Sequence, residues 1–521
     1  MRFRLQTLCM FAASALLVAL PLISKADPLT VKTAEGKVHG KTINDGKVNA
    51  WLGLPYAAPP VGDLRWKAPE PAAKWKGTRD ATVFGHHCAQ NHVFADMVFQ
   101  DPGPSEDCLY LNVYAPATAN KKSKLPVMFW IHGGGYSGGA SSEPRHNGDF
   151  LPLKGVVLIT INYRLGVFGF LATADLAKEQ NGSAGNYGLM DMVQALHWTH
   201  DNIKNFGGDP GNVTIFGESA GSFAVSTLMA SPMAQGLFAK GIGESGAALG
   251  KGPLPYESLT NREVKDAEWV AGLGVHSLAE LRALPTDKIL EACKKPGVNF
   301  PPDVDGKLLT EPVPDTYAAG KQAHVPLLAG WNKDEGSFFA MRGMTATQWK
   351  DMVDKLFKDR APEALKFYPA DNDAQALRSA IDYGSDAFIA YGTWSWLEAH
   401  RKTGDAPVYR YHFELQATPS KFHPGTFAFH SDDIEYVFGT LDTRPGWNVR
   451  PEDRKLSDEI MTYWTNFAKT GDPNGGGLPN WPRYNDAGYP LIHLDSTITS
   501  GPDQLRDRYL FLQQGMPQLR F

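Results

Sequence analysis

Gly217-Glu218-Ser219-Ala220-Gly221 sets a serine between two glycines, where the apolar run Val213-Thr214-Ile215-Phe216 gives way to a small-residue stretch from Ala220 to Met229. The first segment has the pattern of a buried strand and the second that of a helix, so Ser219 falls on the turn between them. A turn this sharp excludes bulky side chains two residues away, and the helix N-terminus brings partial positive charge to the hydroxyl. Those are the needs of a serine nucleophile in acyl transfer. In a chain of 521 residues with 52 glycines, three fixed positions also match by chance, so partners must be found elsewhere.

One partner set lies upstream, where Val127-Met128-Phe129-Trp130-Ile131 runs into His132-Gly133-Gly134-Gly135-Tyr136-Ser137-Gly138-Gly139. Glycines let successive N–H groups turn toward one point, so Gly134 and Gly135, with the amide of Ala220, are candidates to hold the negative oxygen of a tetrahedral intermediate. The same letters satisfy G-x-G-x-x-G at Gly133, Gly135 and Gly138, which raises a dinucleotide-binding oxidoreductase as a rival. That motif needs a helix directly after the glycines and an acidic residue ending the next strand. Here Ala140 to Asp149 is turn-like and the strand from Val156 to Ile161 ends in Asn162-Tyr163-Arg164, so no cofactor is assigned.

Serine needs a histidine to accept its proton and an acid to orient that histidine, with serine, acid and histidine in chain order. Among 15 histidines, His430 stands out in a turn-rich loop after the strand from Val408 to Leu415. For the acid, Asp334 and Glu335 both follow an apolar strand from Val325 to Ala329, and the residues alone do not choose between them.

The elements that must position these groups follow from composition and periodicity. The chain is 43% hydrophobic and 21% charged, an ordinary globular balance. Residues 1–26 read as a secretory signal: Arg2 and Arg4 precede an uncharged run, and Ser24-Lys25-Ala26 offers a cleavage site. An uncleaved membrane anchor is the alternative, with Gln6, Thr7, Ser14 and Pro21 diluting the run. Arg2, Arg4 and Lys25 would leave with the signal, so the mature chain holds 48 basic against 56 acidic side chains, a net charge of −8 that argues against nucleic acid as a partner. Export to an oxidising compartment predicts a Cys88–Cys108 disulfide, which is worth about 3 kcal/mol by loop entropy. His86, His87 and His92 near Cys88 suggest a metal instead, yet no zinc spacing appears and no metal set is assigned.

Buried apolar strands alternate with helical stretches such as Gly188 to Phe206, which predicts an α/β fold with a mostly parallel central sheet and helices on both faces. The segment Leu29 to Ile43 reads as an antiparallel hairpin at the sheet edge. Residues 27–521 are taken as one catalytic domain, with helical insertions near 255–295 and 345–401 as candidates for a cap.

The sequence resembles the type B carboxylesterases, which include cholinesterases and bacterial p-nitrobenzyl esterase-like enzymes. The resemblance rests on Gly53-Leu54-Pro55-Tyr56-Ala57, Pro59-Pro60-Val61-Gly62, Leu64-Arg65-Trp66, Ser105-Glu106-Asp107-Cys108-Leu109, Asn162-Tyr163-Arg164, Phe206-Gly207-Gly208-Asp209-Pro210 and Phe467-Ala468-Lys469-Thr470-Gly471-Asp472. It implies an α/β-hydrolase fold, with Ser219 as nucleophile, Glu335 as acid, His430 as base and an oxyanion hole of Gly134, Gly135 and Ala220. It also implies that Glu218 and Ser245 lie near these groups and that Arg65 pairs with Glu106 and Arg164 with Asp191. Two positions depart from the family, with Met192 and Glu244 standing where glutamine is usual. The loop between Cys88 and Cys108 lacks the tryptophan that cholinesterases set against choline, which removes the main support for quaternary-ammonium recognition.

The expected activity is hydrolysis of a small-molecule carboxylic ester through an acyl-enzyme, rising as His430 loses its proton, roughly across pH 6 to 8. Phe338 and Phe339, just after Glu335, are candidate pocket walls, and Arg145 is either surface charge or an anchor for an acidic substrate. Amidase or lipase chemistry and a non-catalytic binding role on the same fold are the alternatives. The short signal points to a periplasmic or secreted protein without stable membrane association.

Overall fold

Along the segment Leu125–Ile131, alternate side chains enter different layers. Val127, Phe129 and Ile131 belong to one apolar core, and Met128 and Trp130 belong to a second. Because successive side chains of a strand point to opposite faces, this strand is covered on both, which is why it reads as an unbroken apolar run. Each large side chain so buried contributes about 1.5–3 kcal/mol before entropy costs.

This computed structural model describes residues 27–250, 254–338 and 343–517. The signal reading of residues 1–26 and the pocket-wall reading of Phe339 fall outside them. The main sheet comprises β1 (Lys41–Ile43), β2 (Val48–Pro55), β3 (Tyr110–Pro116), β4 (Leu125–Ile131), β5 (Val157–Ile161), β6 (Gly208–Glu218), β7 (Lys240–Glu244), β8 (Leu327–Asn332), β9 (Val408–Phe413), β10 (Pro490–Leu494) and β11 (Thr499–Pro502). Their spatial order is β11-β10-β9-β8-β7-β6-β4-β5-β3-β2-β1. From β5 through β10 every neighbouring pair is parallel, while both margins are antiparallel. This is the α/β-hydrolase architecture, a mixed sheet flanked by helices.

On one face lie α1 (Tyr187–Asn202), α2 (Ala220–Ala230) and α3 (Tyr391–Thr403), which contribute Leu196, Val225 and Trp396 to the core shared with Ile131. On the other lies α4 (Pro451–Thr470), whose Leu456, Ile460, Trp464 and Phe467 recur at helical spacing and pack with Trp130 and Tyr411. Pro451 opens α4 at a position where no N–H is needed, and Gly471, at φ 79°, closes it in the left-handed region.

The hairpin differs from expectation. Thr30–Lys32 and Lys37–His39 pair antiparallel, but in a separate small sheet with Thr78–Asp80, and only β1 reaches the edge of the main sheet. Trp51 Nε1 donates to the Leu29 carbonyl at 2.8 Å, tying the hairpin to the core by a side chain instead of a strand ladder. The stretches 255–295 and 345–401 are helical, the first through Leu259–Ala271, Leu278–Ala283 and Thr286–Ala292, the second through Ala346–Phe357, Ala361–Phe367, Asp373–Ser385 and α3.

Candidate active site

Ser219 joins β6 to α2 with φ 53° and ψ −123°, a conformation that costs a non-glycine residue about 1–3 kcal/mol. Two contacts hold it there: its N–H donates to the Glu244 carbonyl at 2.9 Å, and its own carbonyl accepts from Phe223 N–H at 2.9 Å. Gly217 stands opposite Ile131 in the β6–β4 register. A Cβ on Gly217 would meet the Ile131 carbonyl oxygen at 2.5 Å, and one on Gly221 would press closer still on the same oxygen. Both glycines are therefore required by the close approach of β4 to the turn.

The loops after β8 and β9 bring in Glu335 and His430, the candidate acid and base. His430 Nε2 lies 2.9 Å from Ser219 Oγ, and His430 Nδ1 lies 2.5 Å from Glu335 Oε2. Glu335 Oε1 accepts from the Asn332 N–H at 2.8 Å and from Ser245 Oγ at 2.5 Å, which fixes the carboxylate in one orientation. Asp334, the neighbour that the residues alone left open, turns away and pairs with Arg378 at 2.5 Å while accepting from Ala428 N–H at 3.0 Å. The Phe388 ring packs edge-on against the His430 ring at 4.9 Å.

The glycine loop faces the same point. Gly134 and Gly135 have φ of 102° and 61°, Gly134 O accepts from Ser137 and Gly138, and no backbone acceptor takes the Gly134 or Gly135 amide among the described residues. Ala220 opens α2, so its N–H has no partner within the helix. These glycines, Ser219 and His430 line one cavity of about 290 Å³, together with Phe94, Met97, Phe388 and Ile389. After the glycines the chain forms a short 3₁₀ turn, Pro144–His146, where a dinucleotide fold would place a helix.

The electrostatics are dominated by buried carboxylates. Glu218, beside Ser219, sets Oε1 3.3 Å from His430 Nε2. Burial pushes its carboxyl up to about 8, against the pull of the His430 charge. Burial works to lower His430, yet the carboxylates of Glu218 and Glu335 outweigh it and push the imidazole up to about 9. Glu244 accepts from Trp464 Nε1 at 2.7 Å. Burial first, then the nearby Asp433 and Glu218 carboxylates, drive its carboxyl well above the usual range.

Other predicted residues find clear places. Arg65 pairs with Glu106 at 2.5 Å and Arg164 with Asp191 at 2.7 Å, both buried away from the cavity. Met192 is fully buried in the core. Cys88 and Cys108 form a disulfide. Arg145 lines the cavity, but Glu143 at 2.8 Å and Asp96 at 3.6 Å already hold its charge, so it is neither free surface nor an uncommitted anchor. Phe338 lines an adjoining apolar groove of about 730 Å³ with Leu377, Phe388, Phe422 and Phe427, which also reaches Glu335 and His430. Phe388, absent from the sequence reading, sits in a π-helical segment, Asp386–Ala390, between two helices of the 345–401 stretch. An irregular turn of this kind carries no periodic signal, although such turns recur at functional sites.

The sequence profile of the carboxylesterase family matches residues 27–510. The chain is 37% identical to the para-nitrobenzyl esterase of Bacillus subtilis (strain 168), over 93% of this chain and 99% of that one. It is 36% identical to the fumonisin B1 esterase of Sphingopyxis macrogoltabida, over 93% and 90% respectively. It is likewise 36% identical to carboxylesterase 1D of Rattus norvegicus, over 93% and 92%. Among solved structures, a PNB esterase superposes with a TM-score of 0.80 at 35% identity, covering 93% of this chain and all of the other.

Proposed function

The chain belongs to the carboxylesterase family of serine ester hydrolases, and from that premise we propose that it cleaves carboxylic esters through an acyl-enzyme on Ser219. The observation that carries this reading is the unbroken chain from Ser219 Oγ through both nitrogens of His430 to Glu335, at 2.9 and 2.5 Å. His430 Nε2 takes the Ser219 proton as Oγ attacks the ester carbonyl, and the amides of Gly134, Gly135 and Ala220 receive the negative oxygen. On collapse the same proton passes from His430 to the departing alkoxide, which leaves as the alcohol. Water then repeats the sequence on the acyl-enzyme, its proton going to His430 and from there back to Ser219. Glu335 holds Nδ1–H, so that Nε2 presents its lone pair to the serine.

The substrate reading follows from the walls. The cavity beside Ser219 mixes apolar side chains such as Phe94, Met97 and Leu254 with polar ones, while the wider groove past Phe388 is lined mostly by apolar and aromatic side chains, which favours small-molecule esters with an apolar group on at least one side of the bond. The helical stretch 345–401 supplies Leu377 and Phe388 to these walls and acts as part of a cap over the site. Location in the periplasm or outside the cell is supported by the basic and then uncharged start of the sequence and by the disulfide. Among the described residues no helix is long and apolar enough to cross a membrane.

Labelling with a fluorophosphonate and turnover of p-nitrophenyl acetate test the mechanism. Both are expected in the wild type and both lost, to near background, in Ser219→Ala. Retention of either in that variant rejects Ser219 as the nucleophile. N-terminal sequencing of the mature protein tests export, with Asp27 the expected first residue.

A further inference from the structure

The parallel strands β9 and β10 set His412 directly opposite His493. Glu414 lies two residues beyond His412 and continues the ladder, its N–H donating to the Leu494 carbonyl at 2.8 Å. Because side chains alternate along a strand, the three residues share one face. His412 Nδ1 and His493 Nδ1 both converge on Glu414 Oε1, at 2.7 and 2.6 Å. One ligand atom from each residue lies within 4.8 Å of the others.

Two imidazoles and a carboxylate on one face are the donor set of open zinc and related first-row metal sites. The His412 side chain is nearly buried, while those of Glu414 and His493 are 21% and 27% exposed, so a cation can enter and water can complete its shell. The Arg410 charge, two residues before His412, is matched by its ion pair with Asp503. Bonds of about 2.0–2.2 Å to one cation need the two short contacts to open by roughly 0.7 Å. Rotation of Glu414, just past the end of β9, supplies that.

We propose that His412, Glu414 and His493 bind one divalent first-row cation of the zinc class, with water filling the remaining positions. To ligate through Nδ1, each ring gives up the Nδ1 proton it shares with Glu414, by release to solvent or by transfer to Nε2. The site would join β10 to the strand that leads into the His430 loop. Equilibrium dialysis of the full chain against zinc, followed by metal analysis, tests this. Wild type is expected to retain one zinc per chain. His493→Asn and Glu414→Gln are expected to bind at least tenfold more weakly, and His200→Asn, a surface control, as wild type. Cobalt should give an intensified visible absorption band with wild type and none with His493→Asn. Equal retention by wild type and His493→Asn, or no retention by wild type while it is folded and hydrolysing ester, overturns the assignment.

Discussion

Glu218 Oε1 stands 3.3 Å from His430 Nε2, the same nitrogen that stands 2.9 Å from Ser219 Oγ. The His430 ring is therefore flanked by two carboxylates, Glu335 on Nδ1 and Glu218 beside Nε2, and a proton on the ring is stabilised from both sides.

The sign of the pH dependence follows. His430 must be neutral to act as base, and against burial Glu218 and Glu335 push it up to about 9. Glu218 itself is pushed by burial up to about 8, so its pull on His430 fades as it takes up a proton at lower pH. The acid limb of kcat/KM should then lie between the ordinary 6.5 and about 9, so that it extends above the pH 6 to 8 rise expected from sequence. In Glu218→Gln that limb should move to lower pH. An unmoved limb in a folded variant would show that Glu218 does not set the base.

Ser245 donates to Glu335 and lines neither the cavity nor the groove. Removing its 2.5 Å hydrogen bond to Glu335 in Ser245→Ala should cost about 1 kcal/mol of orientation, seen as a roughly fivefold fall in kcat with little change in KM. A KM effect alone would place the serine outside this chain of contacts.

Gly221→Ala tests the elbow. With β4 so close, the added methyl should destabilise the protein by about 1–3 kcal/mol in urea unfolding and abolish turnover, since the turn itself must shift. Ser226→Ala, later on the same helix, should leave turnover within a few-fold of wild type.

Phe388→Ala should enlarge the junction of the cavity and the groove. The expected result is a KM several-fold higher for aromatic esters and nearly unchanged for acetate esters, read from parallel substrate series. Equal effects on both series would mean that the ring serves only to pack His430.

Reduction of Cys88–Cys108, or the paired Cys88→Ala and Cys108→Ala change, should lower stability by about 3 kcal/mol. The bridged loop carries Phe94 and Met97 to the cavity, so KM should rise with the loss of the bridge. Thermal unfolding with and without reductant measures the first effect.

Much of this site was legible because its chemistry needs local patterns. The elbow and the glycine loop each fall within a few residues, and both follow strands whose apolar runs announce burial on two faces. Asp334 and Glu335 were not separable from residues alone, because adjacent positions of a turn differ only in where they point, and Arg378 decides that from 44 positions away. Likeness to the family selected Glu335. Phe388 was silent, since a π-helical turn breaks the period that marks a helix. The His412–His493 pairing was silent too, because it exists only in the register between two strands far apart in the chain. The hairpin was found as a hairpin but misplaced, for nothing in its own residues reports that Trp51 holds it.

Ser219 and His430 are separated by 211 positions, and Glu335 and His430 by 95. Closing a loop of the larger size costs about 5 kcal/mol of chain entropy, and in the sheet β7, β8 and β9 lie in that order beyond β6, between the elbow and the His430 loop. Turnover is thus a late reporter of refolding: circular dichroism should recover first, and hydrolytic activity only when the middle of the sheet has zipped shut.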